Sequence, residues 1–389
     1  PDWFGICIFT TDGHGYMMGD YDQSFTIQSI SKAFTYGMVL DAHGIGEVEK
    51  RIGVEPSGEA FNSISLDPST GRPFNPMINA GAIAATGMVP GKGLDERFES
   101  IRSHFSRCAG SNLAVDMEVY GSESATGYRN RAIAHLLRNF DMLDDPVRES
   151  VEVYFKQCSI LVTCRDLGLM AASLANGGIN PVTKERVLRS ENVERVLSVM
   201  STCGMYDYSG EWIFKVGLPA KSGVGGGVLG VLPGQLGAAV FSPRLDAKGN
   251  SVRGVRVFSE LSKLFNLHLL NSPSVSNHSI RRIYRLSEVG SHRQRRKTDQ
   301  EAIRTYGSGV SVIELQGDLF FSAAERLIRA VTSHTRSTGT FVFDIRRVGL
   351  TDRATEDLLL KVAIEQAQNA KELIFVDPNN TLCRSRFVA

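Results

Sequence analysis

The spacing of hydrophobic and polar residues over the first 200 positions predicts a short strand region followed by helices. Residues 4–10 are rich in strand-forming side chains, and Thr11-Asp12-Gly13 directly after them is typical of a turn. Residues 32–40 are predicted to form a helix, and apolar residues recur at helical spacing over 131–140 and 165–175. We therefore expect the region from about 80 to 200 to be mostly helical.

The pattern changes to strands after residue 211. We predict strands over 212–216, 227–231, 237–241 and 254–258, with a turn-rich connector over 242–250. A helical region that lies between strands from both ends of a domain is typical of an α/β sandwich, in which helices cover a sheet. The sequence therefore predicts an α/β domain over 1–275.

Residues 276–306 have a different composition. Arg281, Arg282 and Arg285 are followed by the basic run 292–297. Such a run is typical of a solvated linker that its own charge keeps extended. Contact with nucleic acid or acidic lipid is the alternative for a basic run of this kind.

Strands and helices alternate again in the last part of the chain, 307–389. Strands are predicted over 310–315, 340–345 and 372–376, and helices over 322–331 and 352–367, the first of them opened by a capping box from Ser322 to Glu325. This alternation predicts a second, small α/β domain with a partly parallel sheet.

Composition and charge exclude several classes of function. The 389 residues carry a formal net charge of +1 with 22% charged residues, which argues against nucleic acid or a membrane surface as the main partner. No apolar run approaches the roughly 20 residues of a membrane span. The six cysteines and eight histidines show no ligand spacing, so we expect no metal, no disulfide framework and a cytoplasmic setting.

One apparent nucleotide motif fails when its context is considered. Gly225-x-Gly227-x-x-Gly230 matches the dinucleotide fingerprint, but the residues after it read as a strand and a turn. A phosphate site of this type needs a helix N-terminus. We therefore expect no nucleotide or other organic cofactor.

The strongest chemical signal is Ser29-x-x-Lys32, where a strand-like stretch becomes helical. A spacing of three places both side chains on one face of a helix, so that the amine can reach the hydroxyl. A lysine among apolar neighbours loses part of its preference for the charged form and can take a proton from serine. The pair predicts a serine nucleophile with its own base.

Further stretches in a fixed order give this pair a family resemblance. Lys221-Ser222-Gly223 is similar to the element that accompanies Ser-x-x-Lys in penicillin-recognising serine enzymes. Together with five other stretches, the chain from residue 1 to about 270 resembles the serine-dependent glutaminases, which share the β-lactamase/DD-peptidase-like fold. The stretches are Glu55-Pro56-Ser57-Gly58, residues 75–83 (Asn-Pro-Met-Ile-Asn-Ala-Gly-Ala-Ile), Ser122-Glu123-Ser124 with Arg129-Asn130, Tyr154-Phe155 with Cys158-Ser159-Ile160, and Gly204-Met205-Tyr206-Asp207.

The resemblance implies hydrolysis of L-glutamine to L-glutamate and ammonia, with an active site between the sheet and the helical region. Ser29 would attack the side-chain amide and form a γ-glutamyl ester, with Lys32 as base. Tyr206 or Tyr154 would relay the proton to the leaving nitrogen. The backbone N–H groups of Ser29 and Val224 would form the oxyanion hole.

The resemblance also implies a set of substrate contacts. Glu123 would pair with the α-ammonium group, and Asn79, Asn130 and Tyr154 would hold the other polar groups, including the α-carboxylate. Each of these residues, taken alone, also has a purely structural explanation: Asn79 in a turn, Glu123 as a solvated charge, and the tyrosines in the core. The implied substrate-binding set is Gln28, Ser29, Asn79, Glu123, Asn130, Tyr154, Tyr206 and Val224.

The C-terminal part resembles a STAS domain through Phe343-Asp344-Ile345, Val348 and Asp352. The residue that is phosphorylated in the antagonist members would fall near Ala354, and alanine cannot accept phosphate. We therefore expect a module that binds a protein or a small ligand. The resemblances further imply a homo-oligomer, dimer or tetramer, and sequence beyond both ends of this chain.

Two other functions remain compatible with the sequence. The first is a different Ser-x-x-Lys enzyme, such as a peptidase or β-lactamase, although the acidic Glu123 suits an ammonium partner better. The second is a non-catalytic amino-acid sensor coupled to the STAS-like domain. Retention of both Ser29 and Lys32 argues against the sensor.

Overall fold

The computed structural model describes residues 2–58, 62–144, 146–265, 267–271, 279–289, 296–319, 327–328, 331, 338–351 and 353–382. The chain divides into two compact units, residues 1–270 and 271–389. All the candidate site residues lie in the first unit.

The first unit is built on a five-stranded antiparallel sheet in which the N-terminal hairpin joins three strands from residues 220–241. Its strand order is β2-β1-β7-β6-β5, and Ile6 of β1 faces Val240 of β7. A separate two-stranded pair, β3 with β4, lies just before the predicted nucleophile. The strands are β1 Gly5–Thr10, β2 Gly15–Gly19, β3 Phe25–Thr26, β4 Leu161–Val162, β5 Ala220–Ser222, β6 Gly227–Leu232 and β7 Leu236–Phe241.

Helices bury both faces of this sheet. On β6, Leu229 and Val231 belong to the large core that the central helices share, whereas Val228 and Leu232 pack on the other face with Trp212. The helices are α1 Ser31–His43, α2 Ile45–Glu49, α3 Asn79–Gly87, α4 Gly93–Ala109, α5 Met117–Thr126, α6 Tyr128–Asn139, α7 Val147–Cys158, α8 Cys164–Ala175, α9 Ser190–Cys203, α10 Ser209–Lys215 and α11 Val252–Phe265.

Two predicted strands are helices in the structure. Residues 212–216 lie mostly in α10 and residues 254–258 lie in α11. Both segments carry aromatic residues with high strand propensity, but Trp212 and Phe258 pack edge to face at 5.4 Å beneath the sheet. Val255, Phe258 and Leu261 do recur at helical spacing, which is the signal the prediction overlooked. The predicted elements at 4–10, 32–40, 131–140, 165–175, 227–231 and 237–241 are confirmed.

The second unit has a mixed four-stranded sheet with helices. The order is β11-β10-β9-β8, in which β9, β10 and β11 are parallel and β8 is antiparallel. The partly parallel sheet is therefore confirmed, and Ile313, Phe341 and Phe343 are at the centre of its core. The elements are β8 Ile280–Arg285, α12 Lys297–Tyr306, β9 Val310–Leu319, β10 Thr340–Thr351, α13 Arg353–Gln368 and β11 Glu372–Val376.

The prediction of an extended basic linker over 276–306 is wrong for two stretches. Arg281, Arg282 and Arg285 belong to β8, and 297–306 form α12. An edge strand with exposed charged residues can be built from such a sequence because only its backbone must pair with the sheet. Residues 276–278, 290–295 and the predicted capping box at Ser322–Glu325 lie outside the described residues.

No helix in the described part of the chain has the length and apolar character needed to cross a membrane. Within the same residues, no group of three or more His, Cys, Asp or Glu side chains is arranged to hold a metal ion.

Candidate active site

Ser29 lies in a tight 3₁₀ turn, Gln28–Ile30, that joins β3 to α1. Gln28 has a left-handed backbone conformation with φ of 49°, which is uncommon for a residue other than glycine and is concentrated at functional sites. The Ser31 hydroxyl stabilises this conformation, because it donates to the Gln28 carbonyl at 2.7 Å and accepts from Gln157 at 3.0 Å. Ser29 itself is nearly buried, with 6% of its surface exposed.

Lys32 lies in the first turn of α1 and is fully buried. Its Nζ donates to Asn79 Oδ1 at 2.7 Å and to the Met77 carbonyl at 3.2 Å. Burial disfavours the charged amine and lowers the pKa of Lys32 to about 8. A substantial fraction of the amine is therefore neutral near physiological pH and can accept a proton.

Asn79 connects Lys32 to two more predicted residues. Its Nδ2 donates to Asn130 Oδ1 at 3.0 Å, and its Oδ1 also accepts from the Tyr154 hydroxyl at 3.4 Å. Asn79 is the first residue of α3, while Asn130 lies on α6 and Tyr154 on α7. The Asn79 side chain of α3 thus hydrogen-bonds to Lys32 and to residues of α6 and α7.

Tyr206 is a further neighbour of Ser29. Its phenol shares a hydrogen bond with the Ser29 side chain, and its hydroxyl donates to the Ser222 carbonyl at 3.0 Å. Burial raises the pKa of Tyr206, so the phenol stays protonated. Tyr206 also has a left-handed backbone, with φ of 55°.

Lys221 lies behind Tyr206. Its Nζ is 4.4 Å from the centre of the Tyr206 ring and donates to the Ser222 carbonyl at 2.7 Å. Burial, followed by the nearby charge of Lys32, holds the pKa of Lys221 well below its usual value. The predicted Lys221-Ser222-Gly223 motif therefore reaches Ser29 through Tyr206.

The loop 223–226 brings Val224 next to the Ser29 turn. A Cβ added at Gly223 would lie 3.0 Å from the Ile27 carbonyl oxygen, and one added at Gly225 would lie 2.4 Å from the Thr26 carbonyl oxygen. The two backbone segments can approach this closely only because both positions are glycine. Val224 lies between these two glycines, so its backbone is close to the Ser29 turn, and the residue is 43% exposed.

Glu123 is half-buried on α5, and burial raises the pKa of its carboxyl group. Burial raises the pKa of Tyr154, and the charge of Glu123 adds to this shift. The structure therefore places the other six predicted binding residues on two sides of the turn that carries Gln28 and Ser29. Helices α3, α5, α6 and α7 contribute one side, and the 206 and 224 segments contribute the other.

Sequence reasoning missed several contacts of this site. The thiol of Cys158 lies beside Lys32 and Tyr154, where burial raises its pKa to about 11. The Met77 carbonyl binds Lys32, and Glu152 binds the helices that carry Glu123 and Asn130. Backbone acceptors leave no trace in a sequence, and a single acid in an amphipathic helix resembles a surface charge.

A cavity of about 310 Å³ opens beside the site. Tyr206 is part of its wall, but the other predicted binding residues are not among its lining residues. The wall is formed by Pro56, Ser57, Gly58, Asn75, Met77, Ile78, Thr202, Cys203, Tyr206, Asp207, Ser209 and Gly210.

Comparison with known proteins identifies relatives of this chain. The chain is 48% identical over 367 residues to Glutaminase 1 of Bradyrhizobium diazoefficiens, covering 94% of this chain and 60% of that protein. It is 54% identical over 277 residues to the glutaminase of Trichormus variabilis, covering 71% and 83% of the two chains. The chain thus spans about 60% of the length of the Bradyrhizobium relative.

A solved structure of the protein Mglu superimposes on 98% of this chain and 91% of its own, with a TM-score of 0.81 and 40% sequence identity. The sequence model of the glutaminase family matches residues 1–270, the unit that contains Ser29, Lys32 and Tyr206. The chain belongs to the glutaminase family.

Proposed function

We propose that this chain hydrolyses L-glutamine to L-glutamate and ammonia through a γ-glutamyl ester on Ser29. The observation that carries the proposal is the buried Lys32 amine. A neutral amine has two N–H groups and one lone pair, and the two N–H groups match the acceptors on Asn79 and Met77. Because burial lowers the pKa of Lys32 to about 8, its neutral amine can accept the Ser29 proton.

In the first half of the reaction, Ser29 Oγ attacks the side-chain carbonyl carbon while its proton moves to Lys32. The oxyanion that forms accepts from the backbone N–H groups of Ser29 and Val224. One such donor is worth roughly 3 to 4 kcal/mol of barrier in acyl transfer. The close approach of loop 223–226 to the Ser29 turn supports this assignment.

Collapse of the intermediate breaks the carbon–nitrogen bond. The leaving nitrogen takes the proton that Lys32 received from Ser29 and departs as ammonia, and we assign the relay of that proton to Tyr206 rather than Tyr154. Tyr206 shares a hydrogen bond with the Ser29 side chain, whereas the Tyr154 hydroxyl donates a hydrogen bond to Asn79. Water then attacks the ester, Lys32 takes the water proton, and Ser29 Oγ leaves with a proton to regenerate the enzyme.

The contacts that the protein makes with the α-ammonium and α-carboxylate groups select glutamine over other amides. We assign the α-ammonium to Glu123 and the α-carboxylate to the amide and phenol groups of Asn130 and Tyr154, with Asn79 and Gln28 completing the wall. A half-buried carboxylate gains most from a cation that replaces its lost water. An analogue without either charge leaves buried polar groups unpaired and is rejected.

For the second unit, we propose a STAS-like module that binds a protein or small ligand. Support comes from its mixed sheet, with three parallel strands and one antiparallel edge strand, and from the helix α13 between β10 and β11. We also propose that the chain functions as a homo-oligomer, as the family resemblance implies.

The test is ammonia release from L-glutamine, beside L-asparagine and a chromogenic β-lactam. The proposal expects turnover of glutamine alone, and loss of that turnover in Ser29→Ala. Turnover of the β-lactam would instead favour the penicillin-recognising class. Binding of glutamine without any turnover would leave only the sensor.

A further inference from the structure

Glu152 is a nearly buried acid, 8% exposed, that no step of the reaction uses. It lies on α7, two residues before Tyr154. Its carboxylate accepts from the Tyr120 hydroxyl at 3.1 Å, from Ser124 Oγ at 2.8 Å and from Arg131 Nη2 at 3.0 Å. A buried carboxylate with three donors is a well-satisfied anion, and its partners are therefore held firmly.

These partners lie on the two helices that carry the other substrate contacts. Tyr120 and Ser124 are one turn apart on α5 and flank Glu123, and Arg131 on α6 directly follows Asn130. Arg131 joins the two helices a second time, because its Nη2 also donates to the Ser124 carbonyl. Glu152 therefore connects the elements that carry Glu123, Asn130 and Tyr154.

Helix α5 depends on such polar contacts more than its neighbours do. None of its ten residues is fully buried, whereas α6 buries Ile133, Ala134 and Leu137. A helix without a buried apolar stripe gains little hydrophobic stabilisation against the body of the protein. Asp116 caps its first turn, Tyr120 packs partly buried against the core, and Glu152 binds the Tyr120 and Ser124 hydroxyls.

The junction between α5 and α6 is also tight. A Cβ on Gly127 would lie 2.2 Å from the Phe155 ring of α7, and the guanidinium of Arg131 lies 5.4 Å from the centre of the same ring. A small shift of α5 relative to α7 is therefore transmitted to Glu123.

We propose that Glu152, with Arg131, is a positioning residue that fixes the Glu123 carboxylate at the distance that the α-ammonium group of an amino-acid substrate requires. This inference rests on the proposed glutaminase function. Glu152 would thus contribute to the affinity for the substrate's α-ammonium group without touching the substrate.

The test compares Glu152→Gln, Arg131→Gln and the double variant with wild type. Glu152→Gln keeps the shape and an acceptor oxygen but removes the charge. We expect KM for L-glutamine to rise about tenfold with kcat within about twofold, because the lost contact acts on binding and not on the transition state. The double variant should resemble either single variant, since both remove the same interaction.

Two further variants keep the test decisive. Ser124→Ala removes one contact in a smaller change and should raise KM about threefold, an effect that a single hydrogen bond can produce. Asp141→Asn is the matched control: it removes one acid that pairs with an arginine, Arg138, in an exposed ion pair at the end of α6. Its kinetics should equal those of wild type.

L-Glutamate binding, measured by calorimetry on each variant, separates the two proposals. Weaker glutamate binding in the Glu152 and Arg131 variants, but not in Asp141→Asn, supports the inference. A lower kcat with unchanged KM, or parallel losses in the control, overturns it while leaving the function intact. A wild-type protein that neither hydrolyses glutamine nor binds glutamate overturns both.

Discussion

The charge of Lys32 controls the first step of the proposed reaction. Its pKa is lowered to about 8 by burial, and the amine acts as a base only when neutral. We therefore expect kcat/KM to rise with pH between 7 and 9 and to level off above the pKa. Because the pKa lies below the usual value for lysine, the rise should occur well below pH 10.

A pH profile of kcat/KM measures this directly. Stability should be followed over the same range, so that unfolding is not mistaken for titration. A profile that is flat or falls between pH 7 and 9 would contradict the role of Lys32 as base.

Glu123 should decide the preference for an α-ammonium group. Replacing it with glutamine removes the charge from a half-buried position, and we expect kcat/KM for L-glutamine to fall about 100-fold, as for other truncated charge pairs. The exposed Glu118 on the same helix is the control, and Glu118→Gln should be neutral.

An analogue of glutamine without the α-amino group provides the second comparison. Wild type and Glu123→Gln should hydrolyse it at similar kcat/KM. The analogue lacks the ammonium group with which the Glu123 carboxylate would pair, so loss of the carboxylate has no further effect. A large difference between the two proteins on this analogue would show that Glu123 acts elsewhere.

At the scale of elements, the loop between β5 and β6 should set the rate through its backbone. In Gly225→Ala, the new Cβ would lie 2.4 Å from the Thr26 carbonyl oxygen and would push Val224 away from Ser29. We expect kcat to fall about 100-fold, the typical effect of losing one oxyanion donor, with little change in KM. Gly46→Ala is the control, because nothing lies within 4 Å of that Cβ. Equal kcat in both variants would remove the loop from the mechanism.

The helices and strands that carry the site were largely predictable because their signals are local. The three-residue spacing of Ser29 and Lys32 follows from helical geometry, and the glycines of loop 223–226 indicate a close approach. The errors at 212–216 and 254–258 arose where tertiary packing of Trp212 and Phe258 overrode strand propensity. The network around Glu152 could not be predicted, because it joins residues of three helices without a shared motif.

For the whole molecule, the sequence predicts domains over 1–275 and 307–389 with a linker between them, and the structure divides the chain into units 1–270 and 271–389. The strand β8 within the basic stretch did not stand out in the sequence. Its arginines resemble a linker because β8 is an edge strand that contributes mainly backbone pairing. For the first unit, the sequence predicts both the fold and a candidate site, because its motifs contain residues with a chemical role. For the second unit, the sequence predicts mainly the alternation of strands and helices.

The catalytic unit should work independently of the core of the second unit. Phe341 is fully buried in that core, and Phe341→Ala should destabilise it by about 3 to 5 kcal/mol. We expect calorimetry to show a lower unfolding temperature for the second unit, with glutamine turnover within about twofold of wild type below that temperature. Leu350→Ala, at a 63% exposed position, is the control. Turnover that is lost together with the structure of the second unit would contradict this independence.

The proposed reaction requires Ser29 to form a covalent bond to the carbonyl carbon of the substrate's side-chain amide. The most direct measurement uses a glutamine analogue with an electrophilic diazoketone in place of the amide, followed by mass spectrometry of the intact chain and of its peptides. We predict one adduct per chain, located on Ser29, with matching loss of glutaminase activity and protection by L-glutamate. An adduct on any other residue, or equal labelling of the folded Ser29→Ala variant, would contradict the account.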